Sequence, residues 1–100
     1  MKSLSLIWTD RAVSDLLRIK SYIACDNPHA SMEFTKRLKK SAERLEKFPL
    51  SGRTVPELSR NEIREVIVDN YRIIYKMTPK KIFVLTVFES HRKFKLKRQD

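Results

Sequence analysis

The sequence is poor in the residues that build the commonest small-molecule and metal sites. Its 100 residues include one cysteine, Cys25, and one glycine, Gly52. A single cysteine allows no internal disulfide and no multi-thiolate zinc site, and one glycine excludes glycine-rich phosphate loops. No apolar run approaches the ~20 residues of a membrane-spanning helix. We therefore expect one domain over residues 1–100, with a flexible tail at 93–100, in a reducing cytoplasm without metal, cofactor or membrane.

Acidic residues are also scarce relative to basic ones. Twelve aspartates and glutamates stand against 22 lysines and arginines, which gives a formal net charge of +10. An excess of this kind bears on partners and solubility and not on the fold. It predicts an acidic partner, which can be a nucleic acid, an anionic surface or an acidic protein.

The apolar pattern of the first half predicts one strand followed by two helices. Alternating apolar residues over 4–8 indicate a strand, and helical spacing indicates a helix over about 10–25. A second helix begins at Pro28, after the N-cap residue Asn27, and its apolar stripe extends to Phe48. Long amphipathic helices joined by a short turn form an antiparallel hairpin.

The second half predicts a loop and three strands. Residues 49–61 hold two prolines and the only glycine, which is typical of a loop. Strands at 63–68, 71–77 and 82–88 are joined by short turns and should form an antiparallel meander. The order β-α-α-β-β-β predicts an α+β fold in which the helical hairpin packs on a small antiparallel sheet. The position of the first strand in that sheet stays open.

Basic side chains on the predicted strands form a candidate anion-binding site. Arg72 and Lys76 share one face of their strand, Arg64 lies on the partner strand, and Arg92 and Lys93 follow the last strand. A meander places the three strands side by side, so we expect Arg64, Arg72 and Arg92 to converge. Guanidinium groups bind phosphates and carboxylates in a bidentate manner. The alternative is an ordinary solvent-facing sheet surface.

Few other side chains offer chemistry. His91, next to Arg92, is a candidate proton carrier because histidine titrates near neutral pH, although most exposed histidines are plain surface residues. The shared face of Tyr71 and Tyr75 favours core packing over base stacking. Asp15 is expected to be a solvated charge on a polar helix face.

Two further basic surfaces lie outside the strands. One is the predicted second helix, and the other is the tail over 91–98, which suits either a nucleic-acid arm or an end that becomes ordered on an acidic partner. Solvation alone also explains a basic helix face. The basic residues of the second helix are Lys36, Arg37, Lys39, Lys40, Arg44 and Lys47.

A series of short motifs runs through nearly the whole chain. It comprises Trp8, Ala12, Asp15-Leu16, Tyr22-Ile23, Asn27-Pro28, Leu45, Phe48-Pro49, Gly52-Arg53, Pro56-Glu57-Leu58, Ile63-Arg64-Glu65, Asn70-Tyr71-Arg72-Ile73-Ile74-Tyr75 and Arg92. In their order and spacing these motifs resemble the RelE/ParE superfamily of type II toxin–antitoxin toxins, and the ParE branch more closely. The resemblance implies a helical hairpin on a curved antiparallel sheet, bound and blocked by an acidic ParD- or RelB-like antitoxin.

The resemblance implies two different targets. ParE-like toxins poison DNA gyrase, whereas RelE-like toxins cleave mRNA in the ribosomal A site with basic residues of the sheet. On the RelE pattern, Arg72 would contact the scissile phosphate, Arg92 would bind phosphate or transfer a proton, and His91 would replace a lost acid–base group. The expected lysine pair is missing, because Arg64 is followed by Glu65, and no tyrosine follows Arg92.

The sequence therefore predicts a growth-inhibiting toxin that poisons gyrase without catalysis of its own and forms a hetero-oligomer with its antitoxin. The first alternative is a ribosome-dependent mRNA endoribonuclease. The second is a nontoxic nucleic-acid-binding module that uses the second helix and the tail. For contact with the target or with phosphate, the candidates are Arg64, Arg72, Lys76, Arg92 and Lys93.

Overall fold

A helical hairpin covers one face of a five-stranded sheet in the computed structural model, which describes residues 4–91. The predicted order of elements is confirmed, with one short strand added inside the predicted loop. In chain order the elements are β1 (Ser5–Trp8), α1 (Asp10–Asp26), α2 (Pro28–Glu43), β2 (Arg53–Thr54), β3 (Ile63–Val68), β4 (Tyr71–Met77) and β5 (Lys81–Glu89).

Both helices begin at a side-chain cap, and the predicted cap Asn27 of the second helix is confirmed. The Thr9 side chain accepts a hydrogen bond from the Ala12 N–H at 3.2 Å, and the Asn27 side chain accepts one from the Ala30 N–H at 3.0 Å. Each cap satisfies a backbone donor that the helix itself leaves unpaired. After Glu43 the chain continues as one 3-10 turn (Arg44–Glu46). The helical conformation therefore ends before Phe48, the last residue of the predicted apolar stripe.

The sheet is mixed and not wholly antiparallel. Its strand order is β1-β5-β4-β3-β2, and the predicted meander of β3, β4 and β5 is confirmed. β1 pairs parallel to β5, with Leu6 opposite Ile82 and Trp8 opposite Val84. The first strand therefore lies at an edge of the sheet, beside the last strand. This pairing joins two ends of the chain, which no local pattern could indicate.

The carboxylate of Asp15 fastens α1 to the sheet beside a bulge in the β4–β5 pairing. The register shifts between Ile74 and Tyr75, and Asp15 reaches the irregular stretch of β5 from α1. Its carboxylate accepts a hydrogen bond from the Val87 N–H at 3.0 Å and another from the Thr86 hydroxyl. The expectation that Asp15 is a solvated charge is wrong, because its residue surface is only 6% exposed. It accepts a backbone N–H of β5 beyond Val84, the last residue of β5 that pairs with β1.

Apolar residues pack on both faces of the sheet. On the helix side, Leu38 of α2 packs in one cluster with Ile73 of β4. On the opposite side, Val55 and Ile63 pack with Ile74, so the 49–61 loop covers part of the second face. Tyr71 and Tyr75 are buried, which confirms their predicted role in the core. Within residues 4–91, no helix is long and apolar enough to cross a membrane.

Candidate functional site

Arg72 lies near the middle of the sheet, on the face away from the helices. Its neighbours across the strands are Ile67 of β3 and Phe88 of β5. Only 6% of its side chain is exposed, and its guanidinium carbon lies 5.2 Å from the centre of the Phe88 ring. A cation over an aromatic face at this distance is attracted by the ring quadrupole. The Phe88 ring of β5 therefore contacts one face of the Arg72 guanidinium and holds it in place.

Two carboxylates bind the guanidinium of Arg72. Glu57 accepts a hydrogen bond from each terminal nitrogen of Arg72. Nη1 donates to Oε2 at 2.8 Å, and Nη2 donates to Oε1 at 2.9 Å. Nε donates to Oε1 of Glu65 at 2.7 Å. The hydrogen bond to Glu57, followed by the contacts with Glu65, raises the pKa of Arg72 above its ordinary value. A phosphate that approached this guanidinium would meet two negative charges already in place.

Glu65 extends the contact into an ionic chain of four residues. Its carboxylate is fully buried, and its second oxygen accepts a hydrogen bond from Nε of Arg53 at 2.6 Å. A buried carboxylate is tolerated only where cationic donors compensate it. We refer to Glu57, Arg72, Glu65 and Arg53 as the ionic chain. It alternates in sign and joins β2, β3, β4 and the loop after β2.

The loop after β2 positions Glu57. Val55 is fully buried against the second sheet face, and its carbonyl oxygen accepts hydrogen bonds from the N–H groups of Leu58 and Ser59 at 3.1 and 3.2 Å. The turn leaves Ser59 with a φ of 53°. Glu57 therefore sits on a closed turn anchored by an apolar residue. Sequence reasoning noted the Pro56-Glu57-Leu58 motif but assigned no role to Glu57.

Arg64 does not join Arg72, and the predicted convergence of these two arginines is wrong. Arg64 pairs with Tyr75 in the β3–β4 register, so it shares the helix-side face of the sheet with that tyrosine. Its guanidinium donates to the Gly52 carbonyl at 2.9 Å and to the Asn61 side-chain oxygen at 2.8 Å. Alternation of side chains across a strand separates it from Arg72. Its contacts hold the 52–61 segment to β3.

The remaining candidates are less connected to Arg72. Lys76 lies on the same face of β4 as Arg72 and near Glu62. The pKa of Glu62 is lowered by its own backbone hydrogen bond and by Arg60, with a smaller effect from Lys76. The His91 side chain is 75% exposed, and its Nε2 lies 3.6 Å from Oε2 of Glu89.

Arg92 and Lys93 lie outside the described residues. Their predicted roles in binding phosphate or target stay predictions. The same holds for the predicted flexible tail and the basic arm. Among residues 4–91, no three His, Cys, Asp or Glu side chains are grouped so that they could hold a metal ion.

The fold matches that of known toxin–antitoxin proteins. A structure of a chromosomal ParDE toxin–antitoxin system from P. aeruginosa superposes with a TM-score of 0.72, covering 87% of this chain and 96% of that chain. The two sequences are 19% identical, so this likeness concerns the fold. The helical hairpin on a five-stranded sheet is thus an architecture that this chain shares with the ParDE structure.

Sequence comparison identifies the family to which the chain belongs. The chain is 36% identical to toxin RelE2 of Caulobacter vibrioides over 63 residues, which is 63% of this chain and 67% of the relative. It is 31% identical to Y4kP of Sinorhizobium fredii over 87 residues, 87% of this chain and 88% of the relative. A family model described as the ParE toxin of the type II toxin–antitoxin system parDE matches residues 6–94. The chain belongs to this ParE toxin family, as its motifs predicted.

Proposed function

We propose that this type II toxin arrests growth by poisoning DNA gyrase and has no catalytic activity of its own. The observation that carries the proposal is the engagement of Arg72 by Glu57 and Glu65. In a RelE-like mechanism this arginine would face the scissile phosphate. Here its donors are directed to carboxylates of the same chain, and its side chain is almost wholly buried.

The energetics oppose a phosphate at this position. A phosphodiester would have to displace Glu57, which forms two charge-assisted hydrogen bonds, each worth roughly 1.5–3 kcal/mol. The displaced site would still contain Glu65, whose buried carboxylate repels a second anion. Cleavage through the 2′-hydroxyl also needs proton transfer at both the attacking and the leaving oxygen. The strand that would carry the RelE-like lysine pair offers Arg64, which is turned to the other face, and the buried Glu65.

The partner that restrains the toxin is proposed to be an acidic ParD- or RelB-like antitoxin that forms a hetero-oligomer with it. The net charge of +10 supports an acidic partner. Membership of a parDE family supports an antitoxin in particular. A reading frame for a small acidic protein is expected beside the toxin gene, and co-expression of its product should restore growth.

A second candidate function is ribosome-dependent mRNA cleavage. It is favoured by the similarity to a relative that carries the name toxin RelE2 and by the sequence His91-Arg92-Lys93, which begins two residues after the last residue of β5. In that mechanism Arg92 would take over the phosphate and His91 the proton. The nontoxic nucleic-acid-binding module remains a third candidate, and expression of the chain without its antitoxin would be harmless in that case.

Expression of the chain alone separates the three candidates. DNA synthesis and protein synthesis are measured by pulse labelling in the first minutes after induction. A gyrase poison stops DNA synthesis first and induces the DNA-damage response. A ribonuclease stops protein synthesis first and leaves mRNA cut at codons. The variant His91→Ala should retain toxicity, because only the ribonuclease mechanism uses this side chain, and loss of toxicity in the folded variant would favour the ribonuclease. If neither synthesis falls, the gyrase proposal fails.

A further inference from the structure

We propose that the outward face of α2 binds the phosphodiester backbone of duplex DNA. The residues of this α2 basic face are Lys36, Lys39 and Lys40 of the helix, with Arg44 and Lys47 from the 3-10 turn that follows it and from its end. The choice of DNA as the nucleic acid rests on the proposed function, because gyrase holds a duplex DNA segment. The binding surface itself is argued from charge and geometry alone.

The five side chains lie on the side of the helix away from the core. At about 3.6 residues per turn, Lys36 and Lys40 of α2 fall within one arc, and Lys39 borders it. Arg44 and Lys47 follow in and just after the 3-10 turn Arg44–Glu46. The buried positions Leu38, Ala42 and Leu45 fall on the opposite side. From Lys36 to Lys47 the face extends over roughly 15–20 Å of helix. All five residues are exposed.

The charge on this face is not neutralised within the described part of the chain. The arginines elsewhere are largely engaged: Arg37 pairs with Asp69, Arg53 and Arg72 pair with Glu65, and Arg18 pairs with Asp15. By contrast, no residue of the α2 basic face forms an ion pair with any residue of 4–91. Residues 36–47 carry six basic side chains against two acidic ones. Unpaired positive charge is therefore concentrated on α2.

The composition of the face favours a polyanion over an acidic protein. Protein interfaces need buried apolar or aromatic anchors at their centre, and no large apolar side chain between 36 and 47 is exposed. The exposed residues there also offer no aromatic ring or amide that could recognise a base edge, so the contact would be with phosphates and independent of sequence. Each strand of duplex DNA carries one negative charge per about 3.4 Å of the helix axis, which is comparable with the spacing of five cations over this length.

The test measures binding of the purified full chain to a short fluorescent duplex at several salt concentrations. The double variant Lys36→Glu/Lys40→Glu removes two expected phosphate contacts. It should weaken binding at least about tenfold and reduce the slope of log affinity against log salt by about 1.8, since each contact contributes about 0.9. The matched control is Lys80→Glu/Lys81→Glu, which changes the net charge equally at exposed positions of the β4–β5 turn and should keep most of the wild-type slope.

Several outcomes would overturn the proposal. Equal losses in the two double variants would mean that total charge decides binding and that α2 has no special role. Tighter binding to duplex RNA of the same length, or equally effective competition by polyglutamate, would point to a different partner. If the charge-reversed variant unfolds, Lys36→Gln/Lys40→Gln replaces it and should show the same pattern to a smaller extent.

The DNA surface and the gyrase proposal can fail separately. Wild-type protein that binds DNA through α2 but produces no gyrase cleavage complexes would contradict the proposed function and leave the surface intact. Wild-type protein that poisons gyrase while Lys36→Glu/Lys40→Glu retains full DNA affinity would contradict the surface alone.

Discussion

The carboxylate of Glu57 and the guanidinium of Arg72 form a two-point ion pair, with nitrogen–oxygen distances of 2.8 and 2.9 Å. Glu57 comes from the loop after β2 and Arg72 from the middle of β4, so the pair ties the loop to the sheet face away from the helices. Glu65 binds the same guanidinium from β3. The arginine that the sequence indicates for binding a phosphate is therefore bound by carboxylates of its own chain.

Removal of Arg72 should destabilise the protein strongly. Arg72→Ala leaves the buried Glu65 with the exposed Arg53 as its cationic partner and removes the two bonds between Glu57 and Arg72. Breaking a buried ion pair from one side costs about 3–5 kcal/mol, which urea denaturation would measure. The control is Arg37→Ala, which breaks an exposed pair with Asp69 and should change stability far less. Equal stability of Arg72→Ala and wild type would contradict the structural role of the ionic chain.

Substitution of Glu57 tests whether the ion pair hides a catalytic arginine. Glu57→Gln keeps the shape of the side chain and removes its charge. Because we assign no catalysis to Arg72, this variant should be as toxic as the wild type and should leave ribosome-bound mRNA uncut. Primer extension on mRNA from induced cells would detect cleavage. The appearance of codon-specific cuts in Glu57→Gln, absent with the wild type, would show that Glu57 suppresses a ribonuclease.

Gly52 occupies a position where no side chain fits. A Cβ atom there would lie 2.5 Å from the Tyr75 hydroxyl oxygen and 2.6 Å from the Glu65 carbonyl oxygen. Gly52→Ala should therefore lower the free energy of unfolding by about 1–3 kcal/mol, the usual cost of overpacking. Ser51→Ala at the exposed neighbouring position should stay within about 0.5 kcal/mol of wild type.

The Gly52 clash also has an internal control. Adding Tyr75→Phe to Gly52→Ala removes one of the two clashing oxygens, so the double variant should lose less stability than the two single losses together. Strict additivity would mean that the hydroxyl and Gly52 are not in contact.

Local elements of this fold are readable from sequence, whereas pairings across the chain are not. Thr9 and Asn27 are recognisable caps because their partners lie three residues away. The positive φ of Asp69, 53°, agrees with the turn predicted there. The burial of Asp15 is not indicated by its neighbours in sequence, since its hydrogen-bond partners Thr86 and Val87 are more than 70 residues away. For the same reason the parallel pairing of β1 could not be predicted.

The misplacement of Arg64 has a different cause. The predicted two-residue turn already pairs Val68 with Tyr71, and counting back along the strands pairs Arg64 with Tyr75. Residues opposite each other share a face, so Arg64 and Arg72 had to lie on opposite faces. The ionic chain, in contrast, depends on Glu57 in an irregular loop, and its contact with Arg72 follows from no periodic pattern.

Tyr75 should make the protein sensitive to alkali. Burial raises the pKa of its phenol above the ordinary value of 10.0. The unfolded chain then releases this proton at a lower pH than the folded chain. The contribution to stability is complete below about pH 10 and is lost as the pH rises through the folded pKa.

The midpoint of urea unfolding, measured at increasing alkaline pH, checks this dependence. Tyr75→Phe should show a shallower decline than wild type, although Tyr71, whose pKa burial also raises, preserves part of it. Tyr22→Phe is the control, because that side chain is exposed. Identical declines in the wild type and Tyr75→Phe would contradict the assignment.

The central proposal is that the toxin acts on gyrase without catalysing a reaction itself. The most direct measurement incubates purified toxin with gyrase, ATP and supercoiled plasmid, traps covalent complexes with detergent and digests the protein. We predict linear plasmid that increases with toxin concentration and disappears when antitoxin is added. An absence of linear DNA, together with codon-specific cleavage of mRNA on purified ribosomes by the same preparation, would contradict the account.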